Sequence, residues 1–552
     1  MLGFKKTRRS NTSVMPKRDV EAIFSRRAVW LSTAGVFAMG AVSVRLLQLQ
    51  ATDLFNKQYT EAADENRFDQ RLIPPPRGIV YDRFGVPLAI TSKDYRVTIT
   101  RERAQDLEGA IRSVALILGL DEDWVRRRVR EVQSKRAYEP VSLRQGLTWE
   151  EFAAVNVRLP ELHGVNAEST SARSYPYDIV FAHPIGYVQK PNQRDIDAAQ
   201  AEGGAGERRA VYYRNPDVRV GKAGIEAELE RTLRGEAGWA KVIVNAFGRE
   251  MGEDLDERQE PIPGSGIVLT IDADLQRRAM EMFNDDESSF ARAGSVVVMD
   301  IITGDLLVMA SAPGFDPNHF VNGIGSVEFD QLNTAETKPL FHKAVAGVYA
   351  PGSTFKMIVG IAAKQAGVED DWAVSCSGGF GYGGRVFHCW QRGGHGRVNL
   401  HDAIKHSCDV YFYQAALRAG PERIANVSRQ FGLGQRYDVS VPNVRSGLIP
   451  DPTWWRANRH ENWTGGLTVN YGIGQGAMGV TPLQLAVMAA RLGNNGHAVV
   501  PRLIREAPGV AQPRDPPHMS GIEAEYLARV RDGMFGVCNE PGGTAVRAGA
   551  LG

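Results

Sequence analysis

Pro351-Gly352-Ser353-Thr354-Phe355-Lys356 is the stretch on which the reading of this chain turns. It places a serine at the mouth of a helix with a lysine three residues on. Positions i and i+3 share a helix face, so the Lys356 amine is expected to reach the Ser353 hydroxyl. A lysine buried near other polar groups loses its proton near neutrality and serves as a base. The helix start contributes unpaired N–H groups and a positive dipole end, which favour an oxyanion. The pattern points to a serine acyl-transfer site that needs no histidine. Ser-x-x-Lys alone is also what an N-cap serine with an exposed lysine looks like. His406-Ser407-Cys408-Asp409 adds company downstream: Ser407 is placed to relay a proton to a leaving group, with Asp409 holding the network.

At 552 residues the chain is too long for one ordinary domain. Apolar residues at 43% and charged residues at 23% allow a packed core, and a net charge of +1 from 65 basic and 64 acidic residues leaves no global field for nucleic acid. Nucleic acid is therefore not an expected partner. The charge is uneven, however. Lys5, Lys6, Arg8, Arg9, Lys17, Arg18, Arg26 and Arg27 face only Asp19 and Glu21 in the first 27 residues. An uncharged, mostly apolar run follows from Ala28 to Val44, and leucines carry it past Arg45. This reads as one membrane span with the N-terminus cytoplasmic and the bulk across the membrane. Ala41-Val42-Ser43 loosely resembles a cleavage site, but the long apolar run favours an uncleaved anchor. From Thr52 to Gln70 a helical stalk is expected, ended by Pro74-Pro75-Pro76.

Arg77 to Gly85 reads as a short strand entering a turn, residues 104–158 as helices with a solvated arginine face, and 160–250 as a loop-rich scaffold. A linker at Pro261 to Gly266 leads to a strand at Ile267 and a helix near Asp272. Two further strands, Gly294 to Asp300 and Leu306 to Ala312, are joined by a hairpin turn. The expected organisation is a basic tail (1–27), an anchor (28–49), a pedestal (50–260) and a second domain (261–552), with an α+β class overall.

Cys376, Cys389, His395 and Cys408 give the spacing C-x12-C-x5-H-x12-C, while Cys538 stands apart. Three thiolates and an imidazole make a closed, structural zinc site that would also position Ser407 through its neighbour Cys408. The alternative is a Cys376–Cys389 disulfide with Cys408 a buried thiol.

Several further motifs carry a family resemblance. They are Arg77-Gly78 through Asp82-Arg83 and Gly85; Arg173 with Tyr175-Pro176; Ala182-His183 with Gly186-Tyr187-Val188; and Gly224-Ile225-Glu226. Leu269-Thr270-Ile271-Asp272, Phe315-Asp316-Pro317-Asn318, Gly474-Gln475-Gly476 and Thr481-Pro482-Leu483-Gln484 join them. With Ser353 and Lys356 these motifs identify the chain as similar to the class B penicillin-binding proteins, and within them to the elongation-type transpeptidases of Gram-negative bacteria.

The resemblance implies a pedestal followed by a penicillin-binding domain, a central antiparallel sheet flanked by helices. Ser353 would attack a peptidoglycan stem peptide at the penultimate D-alanine, with Lys356 as base, Ser407 as shuttle and Asp409 where many relatives carry asparagine. It implies β-lactam binding, an inner-membrane location, and partnership with a membrane glycosyltransferase of the shape, elongation, division and sporulation family and with rod-shape proteins. The resemblance also allows zinc in the Cys376 region, where elongation-type relatives can bind it, sometimes with aspartates in place of these cysteines. The family's Lys-Thr-Gly or Lys-Ser-Gly strand motif does not occur here. The sequence is therefore expected to stop short of that strand, leaving the second domain incomplete and the chain as written inactive or unfolded there. The rival readings are a D,D-carboxypeptidase or β-lactamase-like hydrolase, and a scaffold without chemistry.

Overall fold

The structure is a computed structural model and describes residues 17–56, 68–244, 250–283, 292–511 and 515–549. It divides into two compact units, Met1–Arg71 with Trp239–Gln259, and Leu72–Gly238 with Glu260–Gly552. In the first, a helix runs Lys17–Asn56. Within it Arg26–Gln48 is a 23-residue stretch of mean hydropathy 1.4, none of it buried. At 1.5 Å per residue it extends about 35 Å, enough for a hydrocarbon core of about 30 Å. Phe68–Ile73 is a strand. That corrects the far end of the expected helical stalk; its middle, 57–67, lies outside the described residues. Ladder bonds to Gly238–Val244, itself paired with Glu250–Gln259, satisfy the backbone that a helix would have satisfied internally.

The second unit is organised by a sheet in the order Ile504–Glu506, Ile267–Leu269, Val80–Tyr81, Pro87–Thr100 and Pro140–Arg144, with Val165–Ser174 also on Pro87–Thr100. Ile267–Leu269 lies parallel to Val80–Tyr81 and antiparallel to Ile504–Glu506, so one sheet joins residues from both sides of the linker. Ile267, Leu269, Val80 and Leu88 are buried together, which drives that union. Pro87–Thr100 and Val165–Ser174 pair from Ile90 with Ser174 to Ile99 with Val165. Of the expected loop-rich scaffold over 160–250, Val165–Ser174 is instead one strand of this long ribbon. Its polar sequence hid it, because few of its residues, Val97 and Ile99 with Tyr95 and Val165 beside them, pack into the core under the arginine-rich helices.

Many motif residues without a visible role meet in one buried knot. Glu226, fully buried, accepts Arg77 Nε at 2.5 Å, Arg173 Nε at 2.6 Å and the Tyr175 hydroxyl at 3.3 Å. Arg77 also pairs with Glu230 at 2.8 Å, and Arg173 donates to Gly78 O at 2.8 Å. A carboxylate without water keeps its charge only when so surrounded. Burial pushes the Glu226 carboxyl up, but the two guanidiniums outweigh it and hold the group below its ordinary value.

Gly294–Met299 and Leu306–Ala312 form the expected antiparallel hairpin. The serine helix, Lys356–Gln365, is apolar almost all round, and Phe355, Ile358, Val359 and Ile361 are buried against Val410, Phe412, Ala416, Ile424 and Val530. A helix of that character belongs inside the core, and its position is correspondingly rigid.

Candidate active site

Gly352–Phe355 forms a tight 3-10 turn that runs directly into Lys356–Gln365. Gly352 adopts φ +59 and donates to Gly474 O at 3.0 Å. A Cβ on Gly474 would lie 2.3 Å from Gly352 O, so only glycine lets the two backbones approach there. Ser353 is exposed on this turn while Phe355 and Lys356 are buried beneath it.

The second wall is the end of Leu400–Lys405. Ser407 follows in the left-handed region, φ +53, with its N–H on Ile404 O at 3.0 Å and the Cys408 N–H on Ala403 O at 2.8 Å. This is a helix C-terminal turn normally given to glycine. It directs both oxygens of Ser407 to the lysine. Lys356 Nζ, on a side chain 2% exposed, donates to Ser407 O at 2.9 Å, Ser407 Oγ at 3.0 Å and Asp409 Oδ1 at 2.6 Å. The amine thus has three partners, none of them Ser353. The i to i+3 spacing brings Ser353 and Lys356 to one short segment, yet the lysine extends to the facing loop, where its charge is compensated.

Trp390 escaped the sequence reading. Its backbone N–H donates to Asp409 Oδ2 at 2.9 Å, and its indole Nε1–H is shared between His406 O and Ser407 O, each at 3.0 Å. It therefore clamps the loop that holds Lys356, with its ring left 56% exposed. Only its place after Cys389 could have signalled this.

Cys376, Cys389 and Cys408 are buried free thiols, so the disulfide alternative is not what the structure adopts. Their sulfurs and one nitrogen of His395 all lie within 4.8 Å of one another. His395 Nδ1 stands 3.6 Å from Cys376 Sγ and 3.5 Å from Cys389 Sγ. Zinc bonds of about 2.3 Å to sulfur and 2.05 Å to nitrogen, set tetrahedrally, separate S from N by about 3.6 Å. The donor set fits that metal. A Cβ on Gly394 would come 2.2 Å from Cys376 O, so glycine is what lets the loop close around the cluster. Burial, and then the neighbouring thiols, raise the Cys408 thiol, a cost that a divalent cation would reverse.

Two family models match the chain: the penicillin-binding protein dimerisation domain over residues 72–269 and the penicillin binding protein transpeptidase domain over 294–551. The peptidoglycan D,D-transpeptidase MrdA of Acinetobacter baumannii is 32% identical over 530 residues, 93% of this chain and 75% of the relative. Among solved structures, the complex between PBP2 and MreC from Helicobacter pylori matches with TM-score 0.71 and 25% identity, covering 87% of each chain. A peptidoglycan synthase complex, described as coordinating polymerization and crosslinking, matches with TM-score 0.64 and 28% identity over 92% of this chain and 85% of the other.

Proposed function

Because the chain belongs to the class B penicillin-binding proteins of the PBP2/MrdA type, we propose that Ser353 is the nucleophile of its reaction, Lys356 the base, Ser407 the proton relay and Asp409 the group that holds them. The chain is a peptidoglycan D,D-transpeptidase that cross-links stem peptides and binds penicillin. The observation that carries the assignment is the buried Lys356 amine bridging Ser407 and Asp409 beneath an exposed serine turn.

Acylation starts from Lys356 as the neutral amine: the Ser353 oxygen attacks the carbonyl of the penultimate D-alanine while its proton passes by way of Ser407 Oγ to that amine, which becomes the ammonium paired with Asp409. Gly352 N–H is spent on Gly474 O, so the N–H groups from Ser353 onward are the ones we assign to the developing oxyanion. The C–N bond then breaks, and the terminal D-alanine leaves with the proton returned through Ser407. An amine of a second stem peptide attacks the ester, gives up its proton by the same route, and Ser353 recovers its hydroxyl. A β-lactam follows only the first half, which holds it on the serine. Peptide mapping of the full chain after labelling with a fluorescent penicillin tests the roles: label is expected on Ser353 and none on S353A. Label on another residue sinks the assignment.

Cys376, Cys389, Cys408 and His395 would hold zinc as a structural ion, bracing the loop from Cys389 through Trp390 to Asp409. New thiols appearing on chelation are the expected sign; none appearing argues against the metal. The N-terminal helix is a membrane anchor, and the basic residues before it favour a cytoplasmic N-terminus with the bulk periplasmic. As a member of this family the chain works with other elongation-complex proteins. We assign a membrane glycosyltransferase to the anchor helix and scaffold, and rod-shape proteins to the scaffold.

A further inference from the structure

Away from Ser353, the ribbon of Pro87–Thr100 and Val165–Ser174 lines an open groove of about 570 Å³. Its walls carry Arg77, Lys93, Arg96, Arg173, Arg219 and Arg234 against Asp94 and Asp217. Part of this charge is already matched: Arg77 and Arg173 by Glu226, and Arg96 by Glu168 and Asp217. The remainder is matched only at a distance: Arg219 lies in the field of Asp217 and Asp94, and Arg234 in that of Glu202, without a direct ion pair among the described residues. Among the described residues Arg219 donates only to uncharged oxygens, the carbonyls of Val321 at 2.6 Å, Pro216 at 2.9 Å and Val218 at 3.0 Å and Asn322 Oδ1 at 3.4 Å. Arg234 donates to the Tyr213 hydroxyl at 3.3 Å and to the Gly235 carbonyl, and lies over the Tyr212 ring. Lys93 is exposed, and Asp94 is held by the Gly146 N–H at 3.1 Å. Arg173, 5% exposed, has a buried Nη2 with no hydrogen-bond partner. Ser169, Thr170 and Ser171 add hydroxyls to the same wall.

A concave, hydroxyl-lined surface that holds Arg219 and Arg234 without a direct ion pair, and Arg173 with a buried, unpartnered Nη2, favours an anion that joins it. We propose that this groove is a second ligand site, taking an oxyanion of a wall component outside the Ser353 centre. The carboxylates of an uncross-linked stem peptide and a phosphate ester present the same chemistry. That the ligand comes from the wall rests on the transpeptidase reading; the oxyanion preference rests on the groove alone.

The test uses the full chain in detergent with Ser353 already acylated by penicillin, titrated at low salt with a soluble uncross-linked muropeptide and, separately, with inorganic pyrophosphate. Saturable binding of either is expected, weakened about tenfold or more by Lys93→Glu and by Arg234→Gln, and restored by Lys93→Arg. Binding of the muropeptide alone identifies a carboxylate ligand, of pyrophosphate alone a phosphate, and of both a general oxyanion site. Melting temperature and the penicillin acylation rate are expected to stay at the parent's values, which separates this site from the serine. The proposal is overturned if neither probe saturates, or if binding ignores both Lys93→Glu and Arg234→Gln. A failure of Ser353 labelling strikes the transpeptidase mechanism instead and leaves the groove standing.

Discussion

Two of the buried ionic clusters among the described residues differ in what their cation can do. Around Glu226 two guanidiniums, which do not deprotonate, enclose one carboxylate. Around Lys356 one ammonium meets one carboxylate and one hydroxyl directly beneath the exposed Ser353 turn. Both are buried, and both sit on family motifs. Burial of charge therefore does not distinguish catalysis from architecture. A removable proton beside an open hydroxyl does.

The largest effect expected is at the lysine. Lys356→Met keeps the volume but removes the proton carrier, and acylation of Ser353 by penicillin should slow on the order of 1000-fold or more in stopped-flow measurements. A loss under tenfold would erase the contrast. Glu226→Gln should instead cost about 3–5 kcal/mol by leaving Arg173 without a carboxylate in the core and Arg77 with Glu230 alone. It should lower the melting temperature while leaving the acylation rate per folded molecule nearly unchanged.

The same carboxylate predicts an acid limb. Its folded value is depressed, so its contribution to stability is fully present above the ordinary glutamate range and is lost as pH falls through the lowered value. Glu226→Gln should flatten that part of the stability profile, and an unchanged acid slope would assign acid unfolding to other groups. Smaller again, Cys389→Ser should loosen the loop carrying Trp390 and slow acylation about 10- to 100-fold. Trp390→Phe, which removes only the indole donor to His406 O and Ser407 O, should cost about 0.5–1.5 kcal/mol, read as a several-fold slower acylation with unchanged thiol protection.

Much of the fold was legible locally. The anchor, the hairpin near Gly304 and the helix capped by Asp272 declare themselves through apolar runs and turn chemistry, which act over a few residues. The ribbon at Pro87–Thr100 was not legible, because its stability comes from cross-strand pairing with residues about 75 positions away rather than from an alternating pattern of its own. The ion knot was half legible: Arg77, Arg173 and Glu226 stood out as motif members, but nothing along the chain shows that they meet.

The same division holds at Ser353. By itself the sequence determined the chemical types, a serine, a lysine one helical turn on, a second serine beside an aspartate, and three thiols with an imidazole, because side-chain chemistry and helical spacing are local properties. Only the tertiary structure decided that Lys356 reaches across to Ser407 and Asp409 rather than back to Ser353, that Trp390 closes the clamp, and that the cysteines stay unpaired around His395. Those outcomes depend on which carbonyls and carboxylates a buried ammonium finds within about 3 Å, and packing alone sets that list.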